Sequence, residues 1–432
     1  MRVLFITGEF PPMQGGVGDC TNEIARALTQ RGVEVSVLTS YQSSVISSQS
    51  PVSNLQSPIS NLQIFPNIKT WNWSALSHIR KIISETRADI THIQYQTGAF
   101  GMHPMINFLP RLLPPSRSPS PEFFGEQFGR GGRGVRRVVT FHDLRPMYLF
   151  PKAGALRDWV TFQLARGSDA VIATNKTDYV HLREQVRGLR KWLKLIPIGS
   201  NIAPTTTPTD FDRARVRKQL GVREDETLLV YFGFVNESKG AETLIRALYD
   251  LPKAKLLFLG GQTGASDATN IAYLQHIRKE IAHYNLTARV LWTDFLPAEQ
   301  ISAHFYASDM CVLPYRDGAS FRRGSFMAAL AHGLPIITTR PRMDAAQNIT
   351  VQDEQFEFAD DLDLPELRDG ENVMLVPPDD ADALHLAITR VQTAPGLAAR
   401  LSGSARLTAR AFSWDKIADE HLELYERVLR AA

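Results

Sequence analysis

VLFITGEFPPMQGGVGDCTNEIARALTQRGVEVSVL, residues 3–38, contains a short apolar run, a loop rich in helix breakers, an amphipathic stretch and a second apolar run. Val3–Ile6 is continuous and apolar, and Gly8–Gly18 is studded with Gly and Pro. Val17, Cys20, Ile24, Ala27 and Leu28 then recur at helical spacing. Gly32 stops that helix and Val33–Leu38 supplies the next strand. Apolar runs of this kind, buried on both faces, belong to a parallel sheet, so the segment reads as one βαβ unit.

Similar runs at Ile90–Ile93, Val135–Phe141, Ala170–Ala173 and Leu193–Ile196 extend this sheet. The Thr/Pro-rich stretch Pro204–Pro208 reads as a linker. A second series follows at Thr227–Phe232, Lys255–Leu259, Arg289–Trp292, Met310–Leu313 and Pro335–Thr338, with helical stretches between its members. The fold class is therefore α/β, with one Rossmann-like domain over 1–203 and another over 204–411. Residues 412–432 hold a closing helix, in which Ser413 is a plausible cap and Trp414, Ile417, His421, Leu424, Tyr425 and Val428 line one face. A chain of 432 residues is long enough for two cores.

Three polar stretches interrupt this pattern. Ser50–Gln56 is repeated almost unchanged as Ser57–Gln63, so a flexible insertion is expected near 43–63. A second is expected near 114–134, rich in Pro, Ser, Gly and Arg, and a third at the acidic stretch Asp353–Asp363.

Composition excludes several classes. The 48 basic and 45 acidic residues leave a net charge of +3, which gives no case for nucleic acid as a partner. Cys20 and Cys311 are too few and too far apart for a disulfide framework or a metal cage, and they fit a reducing cytoplasm. No signal peptide and no membrane span is expected. Val180–Leu195 combines Arg183, Arg187, Arg190, Lys191 and Lys194 with Leu182, Val186, Leu189, Trp192 and Leu193. That pattern is compatible with peripheral contact at an anionic membrane surface, although an ordinary helix and strand has the same spelling.

In doubly wound sheets, ligands bind beyond the carboxyl ends of strands, where helix N-termini offer N–H groups. Gly15, Gly16 and Gly18 occupy that place after the first strand, and without Cβ atoms they would let backbone approach a phosphate or sugar. The spacing is not the dinucleotide fingerprint G-x-G-x-x-G, and no acidic residue follows Leu38 to hold a ribose.

Glu9–Gly18, read as EFPPMQGGVG before a helix, resembles the amino-terminal signature of the group-one, family-four-type glycosyltransferases. Phe232–Gly240 with Thr243–Leu248 is similar to that family's strand, basic loop and helix. Ile196–Asn201, Leu330–Ile337 and Phe412–Trp414 match in order and approximate spacing. The resemblance implies the retaining GT-B type: two Rossmann-like domains facing across a cleft, the second binding the donor nucleotide and the first the acceptor, with the closing helix returning to the first domain. It implies a sugar nucleotide as co-substrate, no further cofactor, no metal, and a glycan, lipid or small-molecule acceptor.

By the same resemblance Lys239 contacts the diphosphate and His142, in Thr140-Phe-His-Asp143, lies against the transferred sugar as a catalytic residue. Gln94 and Tyr95 face the acceptor. Ser320, Arg322, Arg323, Gly324 and Ser325 precede or open a helix and offer guanidinium groups and backbone donors to phosphate. The chain departs from the family at three places. The usual glutamate pair should fall near Ser320 and Ala328, and the basic-loop arginine is replaced by Phe234. Asp317 is the candidate to replace one carboxylate, and Arg322 or Arg323 the lost positive charge. These departures keep open a non-catalytic sugar-nucleotide-binding protein and a sugar-nucleotide epimerase of the same fold. Asp361-Leu-Asp363 has the Asp-x-Asp spelling of metal-dependent transferases but lies in the acidic stretch.

Overall fold

The computed structural model describes residues 1–13, 15–40, 62–113, 134–144, 154–186, 192–205, 213–262, 268–341 and 364–431. The chain divides into two compact units. Unit 1 holds Met1–Ile198 and the closing segment Trp414–Ala432, and unit 2 holds Gly199–Ala345 and Asp363–Ser413. The tandem repeat up to residue 61, the expected insertion at 114–133 and the Asp-x-Asp spelling lie outside the described residues.

Unit 1 is built on a sheet in the order β3-β2-β1-β4-β5-β6-β7. Its strands are β1 (Arg2–Thr7), β2 (Glu34–Ser40), β3 (Leu62–Ile68), β4 (Ile90–Tyr95), β5 (Arg136–Phe141), β6 (Ala170–Ala173) and β7 (Leu193–Leu195), and all neighbours are parallel. Strand β3 was not legible as a strand in the sequence. It carries Pro66 and exposed Gln63 and Ile64, which a central strand would not tolerate, and it stands at the sheet edge where a missing N–H costs little.

The first helix, Gly16–Gln30, buries Ile24, Ala25, Ala27 and Leu28 against this sheet. The closing helix, Trp414–Arg430, adds Ile417, Ala418, Leu424, Tyr425 and Val428 to the same core. Arg31 joins the two helices through Asp419 at 2.5 Å and Asp415 at 3.1 Å. Near residues 180–195 the structure forms a helix, Lys176–Gln185, and strand β7. Val180, Leu182, Val186 and Leu193 are buried there, so these four apolar residues of the pattern belong to the core. Residues 187–191 lie outside the description. No described helix is long and apolar enough to cross a membrane.

Unit 2 repeats the plan in the order β10-β9-β8-β11-β12-β13. The strands are β8 (Thr227–Phe232), β9 (Ala254–Leu259), β10 (Val290–Trp292), β11 (Met310–Leu313), β12 (Ile336–Thr339) and β13 (Met374–Val376), again all parallel. Strand β13 was not legible as a strand in the sequence. In each sheet the strand order reverses next to the first strand, between β1 and β4 and between β8 and β11. Such switch points open a crevice beyond the strand ends.

Candidate donor and acceptor sites

The unit 2 switch point is shaped by two glycines. Gly233 follows β8 with φ +92°, and Gly240 has φ +64° at the start of the helix Ala241–Tyr249. A Cβ on Gly240 would stand 2.2 Å from the Pro314 carbonyl oxygen, so only glycine lets this turn press against the chain leaving β11. Arg316 locks the arrangement. Its N–H donates to the Ser238 carbonyl at 2.9 Å, and its guanidinium reaches Asp379 at 2.9 Å, Glu237 at 2.8 Å and Glu242.

Lys239 sits at the end of that turn. Its ammonium lies 2.7 Å from the point where a Gly233 Cβ would stand and 6.0 Å from the Tyr231 ring centre. It makes no hydrogen bond or ion pair with any described residue, while burial and then the neighbouring Arg323 push its pKa down to about 7. An unpaired, partly buried cation is costly to keep. A bound anion would remove the cost.

Arg323 precedes the helix Gly324–Ala331 and lies 4.3 Å from the Tyr315 ring centre. One end of its guanidinium is paired with Asp317, and its Nε is buried with no hydrogen-bond partner among the described residues. Arg322 reaches the other Asp317 oxygen at 3.5 Å. The expected replacement carboxylate is thus engaged by the two arginines. Ser320 shapes the same turn, its carbonyl accepting from the Arg323 N–H at 3.1 Å. The Ser325 hydroxyl is 2.7 Å from the Tyr315 hydroxyl, and Gly324 borders open space. The N–H groups of Gly324 and Ser325, in the first turn of this helix, are of the kind left without intrahelical acceptors. Phe234, in the family's arginine position, lays its ring on Gly261, where a Cβ would come within 3.0 Å of it.

In unit 1 the glycine loop serves the chain itself. The Glu9 carboxylate accepts from the Val17 N–H at 3.0 Å and the Gly18 N–H at 3.3 Å, filling two of the donors expected to meet a ligand. A Cβ on Gly15 would stand 2.2 Å from that carboxylate, whereas Gly16 has nothing within 4 Å. Glu9 was missed as a candidate. Its signal is an acidic side chain a few residues before a glycine-led helix.

At the ends of β4 and β5, Tyr95 is buried, packed against Phe100 and Phe141 with its hydroxyl 3.0 Å from the Asn107 amide. It is a core residue and does not face an acceptor. Gln94 is buried too, with Oε1 2.7 Å from Nε2 of the partly exposed His142. Burial, then His421, lowers the His142 pKa to about 4.

His332 and His421 are also lowered to about 4, chiefly by burial, and His92 is lowered in the same way. The sign follows from linkage. A histidine whose folded pKa lies below its unfolded value of about 6.5 stabilises fully above that value and loses the contribution as pH falls through the folded one. Asp19 works in reverse, because burial and then Glu9 and Glu23 raise it to about 6. Its contribution is lost as pH rises. In an Asp19→Asn variant the melting temperature should therefore fall between pH 6.5 and about 4, with these four imidazoles still neutral at about pH 5.5 by proton NMR. Imidazole resonances titrating near 6.5 would refute the assignment.

Comparisons with known proteins agree across both units. A model described as a glycosyl transferase 4-like domain matches residues 15–199, and one described as glycosyl transferases group 1 matches residues 226–393. A D-inositol 3-phosphate glycosyltransferase from Xylanimonas cellulosilytica is 24% identical over 274 residues, which cover 62% of this chain and 59% of that protein. Among solved structures, HepE from Anabaena in complex with UDP and glucose superposes with a TM-score of 0.69 at 18% identity over 98% of each chain. The sucrose-phosphate synthase from Thermosynechococcus elongatus gives 0.68 at 22% identity over all of both chains. These structural likenesses carry the fold, and the two matched models, one on each unit in the family's order, carry the assignment. The chain belongs to the group-one, family-four-type glycosyltransferases of the GT-B fold, enzymes that move a sugar from a sugar nucleotide to an acceptor.

Proposed function

We propose that the donor is a nucleoside diphosphate hexose whose diphosphate is held at the unit 2 switch point, and that transfer retains the anomeric configuration and needs no metal ion. The observation that carries this reading is that the Lys239 ammonium, beside the bare Gly233 backbone, and the Arg323 Nε have no hydrogen-bond partner among the described residues. When the bond to the anomeric carbon breaks, negative charge grows on the leaving diphosphate, and preorganised cations and N–H donors stabilise it. Lys239, Arg323 and the N-terminus of the helix Gly324–Ala331 supply these in unit 2. Unit 1 supplies a neutral imidazole, His142, to hold a substrate hydroxyl. The acceptor is a hydroxyl compound, as a small molecule, lipid or glycan. Uridine diphosphate sugars are the first donors to test, since HepE is structurally similar and its structure holds UDP and glucose.

A thermal-shift screen over nucleoside diphosphate sugars should give one clear donor, because ligand bound to the native state raises the melting temperature by mass action. With that donor, nucleoside diphosphate release in the presence of acceptor should continue in excess chelator. Loss of turnover in chelator that magnesium or manganese restores would overturn the metal-free reading.

A further inference from the structure

A continuous hydrogen-bonded chain crosses the core of unit 1 from the closing helix to His142. The Tyr425 hydroxyl lies 2.6 Å from His92 Nδ1, and His92 Nε2 lies 2.8 Å from the Thr140 hydroxyl and 3.4 Å from the Gln94 amide nitrogen. The Gln94 amide oxygen then lies 2.7 Å from His142 Nε2. Tyr425, His92, Gln94 and Thr140 are all buried. Buried polar groups are retained at a cost unless every member is satisfied, and a connected chain of them fixes one arrangement of its parts.

The chain has a direction. An amide nitrogen only donates and an amide oxygen only accepts. With the Gln94 nitrogen toward His92, His92 Nε2 must be an acceptor, so its proton is on Nδ1 and is donated to the Tyr425 oxygen. With the Gln94 oxygen toward His142, that ring carries its proton on Nε2 and its lone pair on Nδ1. His142 Nδ1 makes no hydrogen bond to any described residue, and the ring is partly exposed.

We infer that Tyr425 and Gln94 are positioning residues that hold His142 in the Nε2–H tautomer, so that Nδ1 is the atom offered to a substrate hydroxyl. Burial and neighbouring histidines keep His92 and His142 neutral, and burial keeps His421 neutral, so the tautomer and not the charge of His142 is what the chain selects. A tyrosine far along the sequence thereby acts on the site through two intermediates.

The inference rests on His142 taking part in transfer, and His142→Ala tests that separately: wild-type turnover in this variant would remove the premise. Nitrogen-15 NMR of the wild-type protein should show His142 protonated on Nε2. A wild-type Nδ1–H form, which would need the Gln94 amide reversed, overturns the inference by itself. Tyr425→Phe keeps the ring packing and removes one hydrogen bond. It should leave nucleotide affinity unchanged, lower kcat roughly 5–10-fold and mix the two His142 tautomers. Gln94→Leu should lower kcat further, whereas Gln94→Glu, which still accepts from His142 Nε2, should recover part of the loss and serves also if the leucine variant does not fold. A lowered melting temperature with wild-type kcat and an unchanged His142 tautomer in Tyr425→Phe would show that the chain only stabilises the core.

Discussion

Replacing Lys239 with Met is expected to lower turnover by roughly 10²–10³ while leaving the melting temperature at pH 7 unchanged or raised. The two effects differ in sign because the ammonium has no hydrogen-bond or ion-pair partner among the described residues. Burial, with Arg323, brings its pKa down to about 7. An unfolded lysine titrates near 10.4, so between these values the unfolded chain binds more proton and stability rises with pH. At and below pH 7 the charged form is a cost to folding, which Met removes while keeping the stem's packing. The charge is useful only when diphosphate arrives, and more so as the leaving group forms. Nucleotide binding to the wild type should therefore take up a proton near pH 7–8, measured by calorimetry in buffers of different ionisation enthalpy. The Met variant should not show this uptake. Turnover within threefold of wild type, or a marked drop in melting temperature, would remove Lys239 from the donor site.

The largest structural effect is expected from Gly240→Ala, judged against Gly221→Ala. Both glycines have φ +64°, so each substitution carries the same left-handed backbone penalty of roughly 1–2 kcal/mol. At Gly221 nothing lies within 4 Å of the new Cβ, whereas at Gly240 the Pro314 carbonyl oxygen lies 2.2 Å away. No side-chain rotation relieves a backbone clash. The turn Glu237–Lys239 must lift off the chain after β11, breaking the Arg316–Ser238 hydrogen bond and displacing Lys239. The urea midpoint should fall clearly further for Gly240→Ala, with activity lost, while Gly221→Ala keeps its rate. Equal losses of stability in the two variants would show that the turn yields without cost.

The repeated αβ plan is written in the order of apolar runs and loops. Apolar runs such as Val3–Ile6 and Leu228–Tyr231 are buried on both faces, and such strands announce themselves without reference to distant residues. The placement of Lys239 one short turn after β8, and of His142 directly after β5, was legible from the order of apolar runs and loops. Edge strand β3 was not, since an exposed strand with a proline lacks the period that burial imposes, and β13 was not read either. The folded chain was needed to see that Glu9 occupies the N–H groups of Val17 and Gly18, that Asp317 is held by two arginines, and that Arg316 ties together Glu237, Glu242 and Asp379. It also moved Tyr95 into the core and brought Tyr425 to His92, 333 positions away. Polar side chains follow no period along the chain. Their partners are set by which strand ends the sheet order brings together, and so their roles emerge only when the sheet is assembled.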